Sequence, residues 1–151
     1  MRAVVQRVSE AAVRVVVAVV GRCSAGLLVL VAVAPEDSER EALWLARKLA
    51  CLRIFPDAEG RMNRSLVDVG GEALVISQFT LYGNCRKGRR PSFVRSAPPE
   101  IAAPLYLRFC DLLVDEGIEV GRGVFGADMK VSLINDGPVT LVVDTPTGSP
   151  Q

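Results

Sequence analysis

The run from residue 2 to residue 34, RAVVQRVSEAAVRVVVAVVGRCSAGLLVLVAVA, is so rich in β-branched residues that it reads as strand almost throughout. RAVVQRVS and AAVRVVVAVV alternate in the manner of half-buried strands. GLLVLVAVA is apolar at every position after its glycine, as a strand buried on both faces would be. Three strands therefore open the domain. The run is not a membrane span, because Arg14 and Arg22 interrupt it and neither apolar piece approaches the ~20 residues that a spanning helix needs.

The period then changes. In PEDSEREALWLARKLACLRIF, Ser38 and Glu41 form a capping box and Leu45, Leu49 and Leu52 recur on one face, which predicts a helix of about four turns. PDAEGRMN is a turn-rich connection. EALVISQFTLYG reads as a strand whose apolar first half turns polar at Ser77 and Gln78, and GNCRKGRRPSF as a basic loop. PPEIAAPLYLRFCDLLVDEG predicts a second helix ending at Gly117, with Pro104 in or near its first turns. IEVGRGVFGADMKVSLINDGPVTLVVD supplies the closing strands. Strands dominate and two helices are inserted, so the expected class is α+β: a mostly antiparallel sheet curled into a barrel-like core. A single domain over residues 1–145 is expected, followed by a flexible C-terminal tail at 146–151. Apolar strands leave adhesive edges, and pairing with a second copy covers them, so the chain is expected to be a homodimer.

Composition narrows the function. Half of the 151 residues are hydrophobic and the net charge is +1, which excludes disorder and a generally basic nucleic-acid binder. Any charged partner must meet a local patch. The four cysteines, Cys23, Cys51, Cys85 and Cys110, are scattered with no C-x-x-C pair, which favours reduced thiols, a cytoplasmic location and no structural zinc. The chain has no histidine. Histidine triads, histidine-ligated metals and a histidine base are thus impossible within it, and no metal or cofactor is expected.

One turn resists a simple account. In NDGPVT, residues 135–140, Asp136-Gly137 alone would make an ordinary hairpin turn between KVSLI and LVVD. Pro138 brings no N–H to a ladder and restricts the residue before it, so at its blandest it marks a strand entry.

NDGPVT and SQFTLYG (77–83) are each polar or irregular within apolar strand. With MRAVVQRVSEA, LRIFPDAEGRMN, VGGEALVISQFTLYG, RKGRRPSF, APLYLRF and NDGPVTLVVD, the chain resembles the D-aminoacyl-tRNA deacylase family almost from end to end. The resemblance implies a metal-free homodimer that hydrolyses the ester between tRNA and a D-amino acid, or glycine mischarged on tRNA(Ala). It implies a cis Gly137-Pro138 bond, reaching across the dimer interface so that its carbonyl oxygens exclude L side chains. Ser77, Gln78, Phe79 and Thr80 would floor the pocket, with the Phe79 and Thr80 N–H groups holding the ester carbonyl. Thr80 has a rival reading as nucleophile, but no histidine is present to take its proton; the ribose 2′-hydroxyl of the tRNA would assist water instead. By the same resemblance Arg7 braces the Gly-Pro segment and Met129 lines the pocket, whereas from the residues alone Arg7 reads equally as an outward-facing strand arginine and Met129 as core filler. Arg86, Lys87, Arg89 and Arg90 would meet phosphates at the acceptor end of an aminoacylated tRNA.

Two rivals accompany this reading: an editing enzyme of relaxed chirality with a trans Gly-Pro bond, and a catalytically silent dimeric RNA-binding module. The chain departs from the family pattern at its first hairpin, where Val16 and Val17 replace the usual polar-Gly turn, and at Cys85 and Arg89 in the basic loop.

Overall fold

The computed structural model describes residues 1–147. Of the expected tail, Pro146 and Thr147 fall within that range and residues 148–151 lie outside it. The long first strand, β1 (Arg2–Val15), organises the sheet. Along one edge it pairs antiparallel with β8 (Met129–Asp144) from Arg2↔Asp144 to Val15↔Met129. Along the other it pairs first with β3 (Gly26–Ala32) over residues 2–8, then with β2 (Ala18–Cys23) over residues 11–15. Two strands in succession on one edge require β1 to turn a corner, and register shifts between Gln6 and Glu10 mark it.

Beyond β3 the sheet changes sense. β6 (Glu72–Ser77) runs parallel to β3, and β7 (Glu119–Arg122) parallel to β6. Antiparallel pairings still predominate, as expected, and these two parallel pairings make the sheet mixed. The reason lies in the connections: α1 (Glu39–Cys51) falls between β3 and β6, and α3 (Pro99–Asp115) between β6 and β7, and strands joined across a helix return parallel. A small hairpin, β4 (Phe55–Pro56) with β5 (Met62–Arg64), and a one-turn helix, α2 (Leu66–Val69), fill the α1–β6 connection. α2 adds a third helix to the two expected, and its Ser65/Asp68 capping box is visible in the sequence as S-x-x-D.

The barrel is nearly closed where β2 approaches β7. A Cβ on Gly121 would stand 2.4 Å from the Arg22 carbonyl oxygen, and one on Gly21 would stand 2.6 Å from that of Arg122. Only glycine lets the two backbones approach so closely. Side-chain alternation divides the core in two. Leu27, Val29 and Val31 of β3, with Ala73 and Val75 of β6, face Leu45 and Leu49 of α1 and Tyr106, Phe109 and Leu113 of α3. Leu28, Leu74 and Ile76 point the other way and meet Val8, Ala11 and Val13 inside the barrel. The buried Tyr106 hydroxyl donates to the Val75 carbonyl at 2.8 Å, tying α3 to the central strand.

α1 starts as expected, with the Ser38/Glu41 capping box formed. α3 runs to Asp115 with Pro104 inside it, and Gly117 follows at φ +87°. The four cysteines are free thiols; burial pushes those of Cys23 and Cys110 up to about 11. Among the described residues no helix is long and apolar enough to cross a membrane.

The β1–β2 turn is carried by Val16 at φ +56°, a conformation β-branched residues rarely adopt. A positive φ at the first central position alone is the type II′ pattern, which favours glycine there. Val16→Gly is therefore expected to raise stability by about 1 kcal/mol, read as a higher urea midpoint at unchanged slope.

Candidate active site

β6 ends at Ser77, the last residue in register with β3, opposite Val31. Gln78 N donates to the Val31 carbonyl at 2.8 Å, and the chain then winds into a 3-10 turn, Phe79–Tyr82. The expected polar strand end is therefore a turn beyond Ser77. Its first backbone bond runs from Leu81 N to the Gln78 carbonyl at 3.2 Å. The N–H groups of Phe79 and Thr80 precede that bond and have no partner within the turn, so they remain available to an incoming oxygen. The Thr80 hydroxyl bonds to the Gln78 carboxamide, a group with no basicity at neutral pH.

The turn is held from behind. The Ser96 hydroxyl donates to the Phe79 carbonyl at 2.9 Å, the Phe93 ring stands edge-on to Phe79 at 5.2 Å, and Arg2 Nη1 donates to the Leu81 carbonyl at 3.2 Å. Phe93, Ser96 and Arg2 were not among the residues expected here, and PSF in the basic loop was the one signal for the aromatic contact. Burial, with the Asp37 carboxylate adding to it, raises the Tyr82 phenol to about 12, so it stays protonated at neutral pH. Met129 lies half-buried against the barrel interior beside Ile76 and Gly123, near the point where β6 ends.

The second motif sits elsewhere. β8 bulges at Asp136–Val139; Gly137 adopts φ +122° and the Gly137–Pro138 peptide bond is cis. Both residues are exposed. Asn135 pins the bulge, its side-chain amide donating to the Arg7 carbonyl at 3.0 Å and the Val139 carbonyl at 3.1 Å, while the Thr140 hydroxyl donates to Asn135 Oδ1 at 3.0 Å. Arg7, nearly buried, donates through Nε to the Asp136 carbonyl at 3.2 Å and through Nη1 to the Ile54 carbonyl at 2.6 Å. Arg7 is thus packed against the Gly-Pro bulge and is not an outward-facing strand arginine.

The two motifs are not brought together within one chain. Ser77 is level with Val31 and hence with Ala3, whereas the bulge lies opposite Arg7. Four residues along the strands (about 13 Å) and three strand spacings (about 14 Å) put them roughly 20 Å apart.

Arg86, Lys87, Arg89 and Arg90 stand exposed on a loop closed by the Asn84–Ser92 bridge, and Phe93 connects that loop to the 3-10 turn. No ion pair engages any of the four among the described residues. Among those same residues there is no group of three or more histidine, cysteine, aspartate or glutamate side chains that could hold a metal ion.

The family model described as D-Tyr-tRNA(Tyr) deacylase matches residues 4–144. The chain belongs to that family. The D-aminoacyl-tRNA deacylase of Roseiflexus castenholzii is 61% identical over 96% of this chain and 92% of its own length. That of Thermus aquaticus is 57% identical over 96% and 95%. A solved structure titled c-Myc DNA Unwinding Element Binding Protein superposes with a TM-score of 0.90 at 36% identity, covering 97% of this chain and all of the other. A probable eukaryotic D-amino acid tRNA deacylase shares the fold at a TM-score of 0.82 and 21% identity, over 94% of this chain and 97% of its own.

Proposed function

We propose that this enzyme hydrolyses the ester of D-aminoacyl-tRNA, and of glycine mischarged on tRNA(Ala), in a site built from two subunits. The reaction class follows from the family: a D-aminoacyl-tRNA deacylase. The two-subunit site is supported by the distance between the motifs. An ester carbonyl and its α-carbon are bonded neighbours, and one chain cannot set SQFT and Gly-Pro roughly 20 Å apart against both. A second copy can. Ile134, Leu141 and Val142 expose apolar surface on either side of the bulge, as a strand that docks on a partner would.

In this site the N–H groups of Phe79 and Thr80 hold the ester carbonyl oxygen as it gains negative charge, each worth roughly 3 kcal/mol when preorganised. Gly137 and Pro138 of the partner subunit face the α-carbon and leave room for hydrogen but not for an L side chain. Water attacks with help from the ribose 2′-hydroxyl, since the Thr80 hydroxyl has only a carboxamide beside it. Thr80→Ala should therefore keep activity within about tenfold, against the roughly million-fold loss that follows removal of a true nucleophile. Single-turnover deacylation measures the difference.

The 86–90 loop supplies cations for the phosphates of the tRNA end. Replacing Arg89 and Arg90 by glutamine should raise KM and lower the salt slope of kcat/KM by about one logarithmic unit for each phosphate no longer neutralised. The two-subunit site is tested by mixing Gly137→Ala with Phe79→Pro, which removes the backbone N–H at that position, and reading D-selective turnover. If the site spans subunits, mixed dimers regain one working site; if each chain is self-sufficient, mixing restores nothing.

A further inference from the structure

We propose that the outer face of α1 binds RNA backbone, and that its occupant is the body of the tRNA whose 3′ end lies in the site. The ligand's identity rests on the deacylase reading above; the surface is independent of it. Arg40, Leu43, Trp44, Arg47 and Lys48 recur at helical spacing on the side of α1 opposite its buried leucines, and with Arg53 they line a groove of about 600 Å³. From Arg40 to Arg53 the cations extend over roughly 20 Å.

Two of these four cations, Lys48 and Arg53, are left uncompensated. Among the described residues no carboxylate lies within ion-pair distance of Lys48 or Arg53. Lys48 stands over the Trp44 ring at 5.2 Å, and Arg53 donates to Asn63. Arg47 reaches Glu116 only at 3.6 Å with both groups in solvent contact, and Arg40 is engaged by Glu41. Cations bordering α3 are matched instead: Arg108 to Glu39 at 2.8 Å and Arg122 to Asp111 at 2.7 Å. Four cations in a row around an indole, two of them without a carboxylate partner, suit a polyanion whose charges also come in a row, and counterion release then makes the affinity salt-dependent.

Continuity with the site singles out the occupant. Arg40 also lines a second cleft that runs to Tyr82, the last residue of the 3-10 turn, and to Arg95, next to the Ser96 that holds Phe79. That cleft carries Glu36 and Asp37 as well and is close to balanced in charge, so it serves as the passage and the α1 face as the anchor. Tracks on α1 and on the 86–90 loop then lie to two sides of the pocket.

The test replaces Arg47, Lys48 and Arg53 together by glutamine, which keeps helix propensity and spares the Arg40–Glu41 pair. Binding of uncharged tRNA is read by fluorescence anisotropy from low to physiological salt, alongside a control carrying Arg14→Gln, Arg61→Gln and Lys130→Gln. At physiological salt Kd should rise at least about tenfold in the α1 variant, with a salt slope lower by about two, and no more than about twofold in the control. Equal loss in both variants, or none in either, would overturn the proposal. Hydrolysis of a short D-aminoacyl-adenosine ester by the α1 variant should match wild type. Failure of wild type on every D-aminoacyl ester would count against the deacylase reading instead, while the anisotropy still decides the surface.

Discussion

Gly137→Ala is expected to lower the ratio of D to L turnover by about 100-fold, the scale on which a displacement of about 1 Å acts at a reacting centre. At φ +122° the position disfavours any L side chain, and the added Cβ would meet Arg7 Nη2 and Val139 Cγ2, each at 2.9 Å. Arg7 cannot easily retreat, because the Ile54 and Asp136 carbonyls hold its guanidinium. The bulge must shift instead, and with it the backbone proposed to face the substrate's α-carbon. Since Gly137 is exposed, the fold should persist. The ratio of kcat/KM for D- and L-tyrosyl-tRNA is the readout, and an unchanged ratio would separate this segment from chiral selection.

Gly121→Val is expected to destabilise the protein by about 3 kcal/mol or more, lowering Tm by about 10 °C. A Cβ there would stand 2.4 Å from the Arg22 carbonyl oxygen, with the Arg22 backbone nitrogen at 3.1 Å, so β2 and β7 would have to separate. Both neighbours are backbone, and no rotamer change relieves the clash. Thermal unfolding against an exposed β7 control, Glu119→Ala, measures the effect.

What could be read from the sequence was local. The Ser38 cap and the stop near Gly117 depend on residues a few positions apart and appear where expected. The N-terminal run is strand as read, but RAVVQRVS and AAVRV form the single strand β1, and the turn falls at Val16 and Val17, inside the expected second strand. The parallel pairing of β3 with β6 was written only indirectly, in two strands apolar on both faces, because their partnership spans α1. The 3-10 turn at Phe79–Tyr82 carries no glycine or proline of its own to announce it. Both motifs were visible as irregularities, whereas their separation is a property of register across four strands and of no single segment. Asn135 illustrates the gap: its place beside Gly-Pro is plain in NDGPVT, but its bond to the Arg7 carbonyl joins residues 128 positions apart.

The central claim is hydrolysis of D-aminoacyl esters with L esters excluded. Deacylation of tRNA charged with D-tyrosine, L-tyrosine or glycine, followed side by side with purified protein and added chelator, tests it most directly. The account predicts rapid loss of the D-tyrosyl and glycyl esters and persistence of the L ester. Equal loss of all three would contradict the exclusion of L substrates, and no loss of any ester by the folded protein would contradict the deacylase account itself.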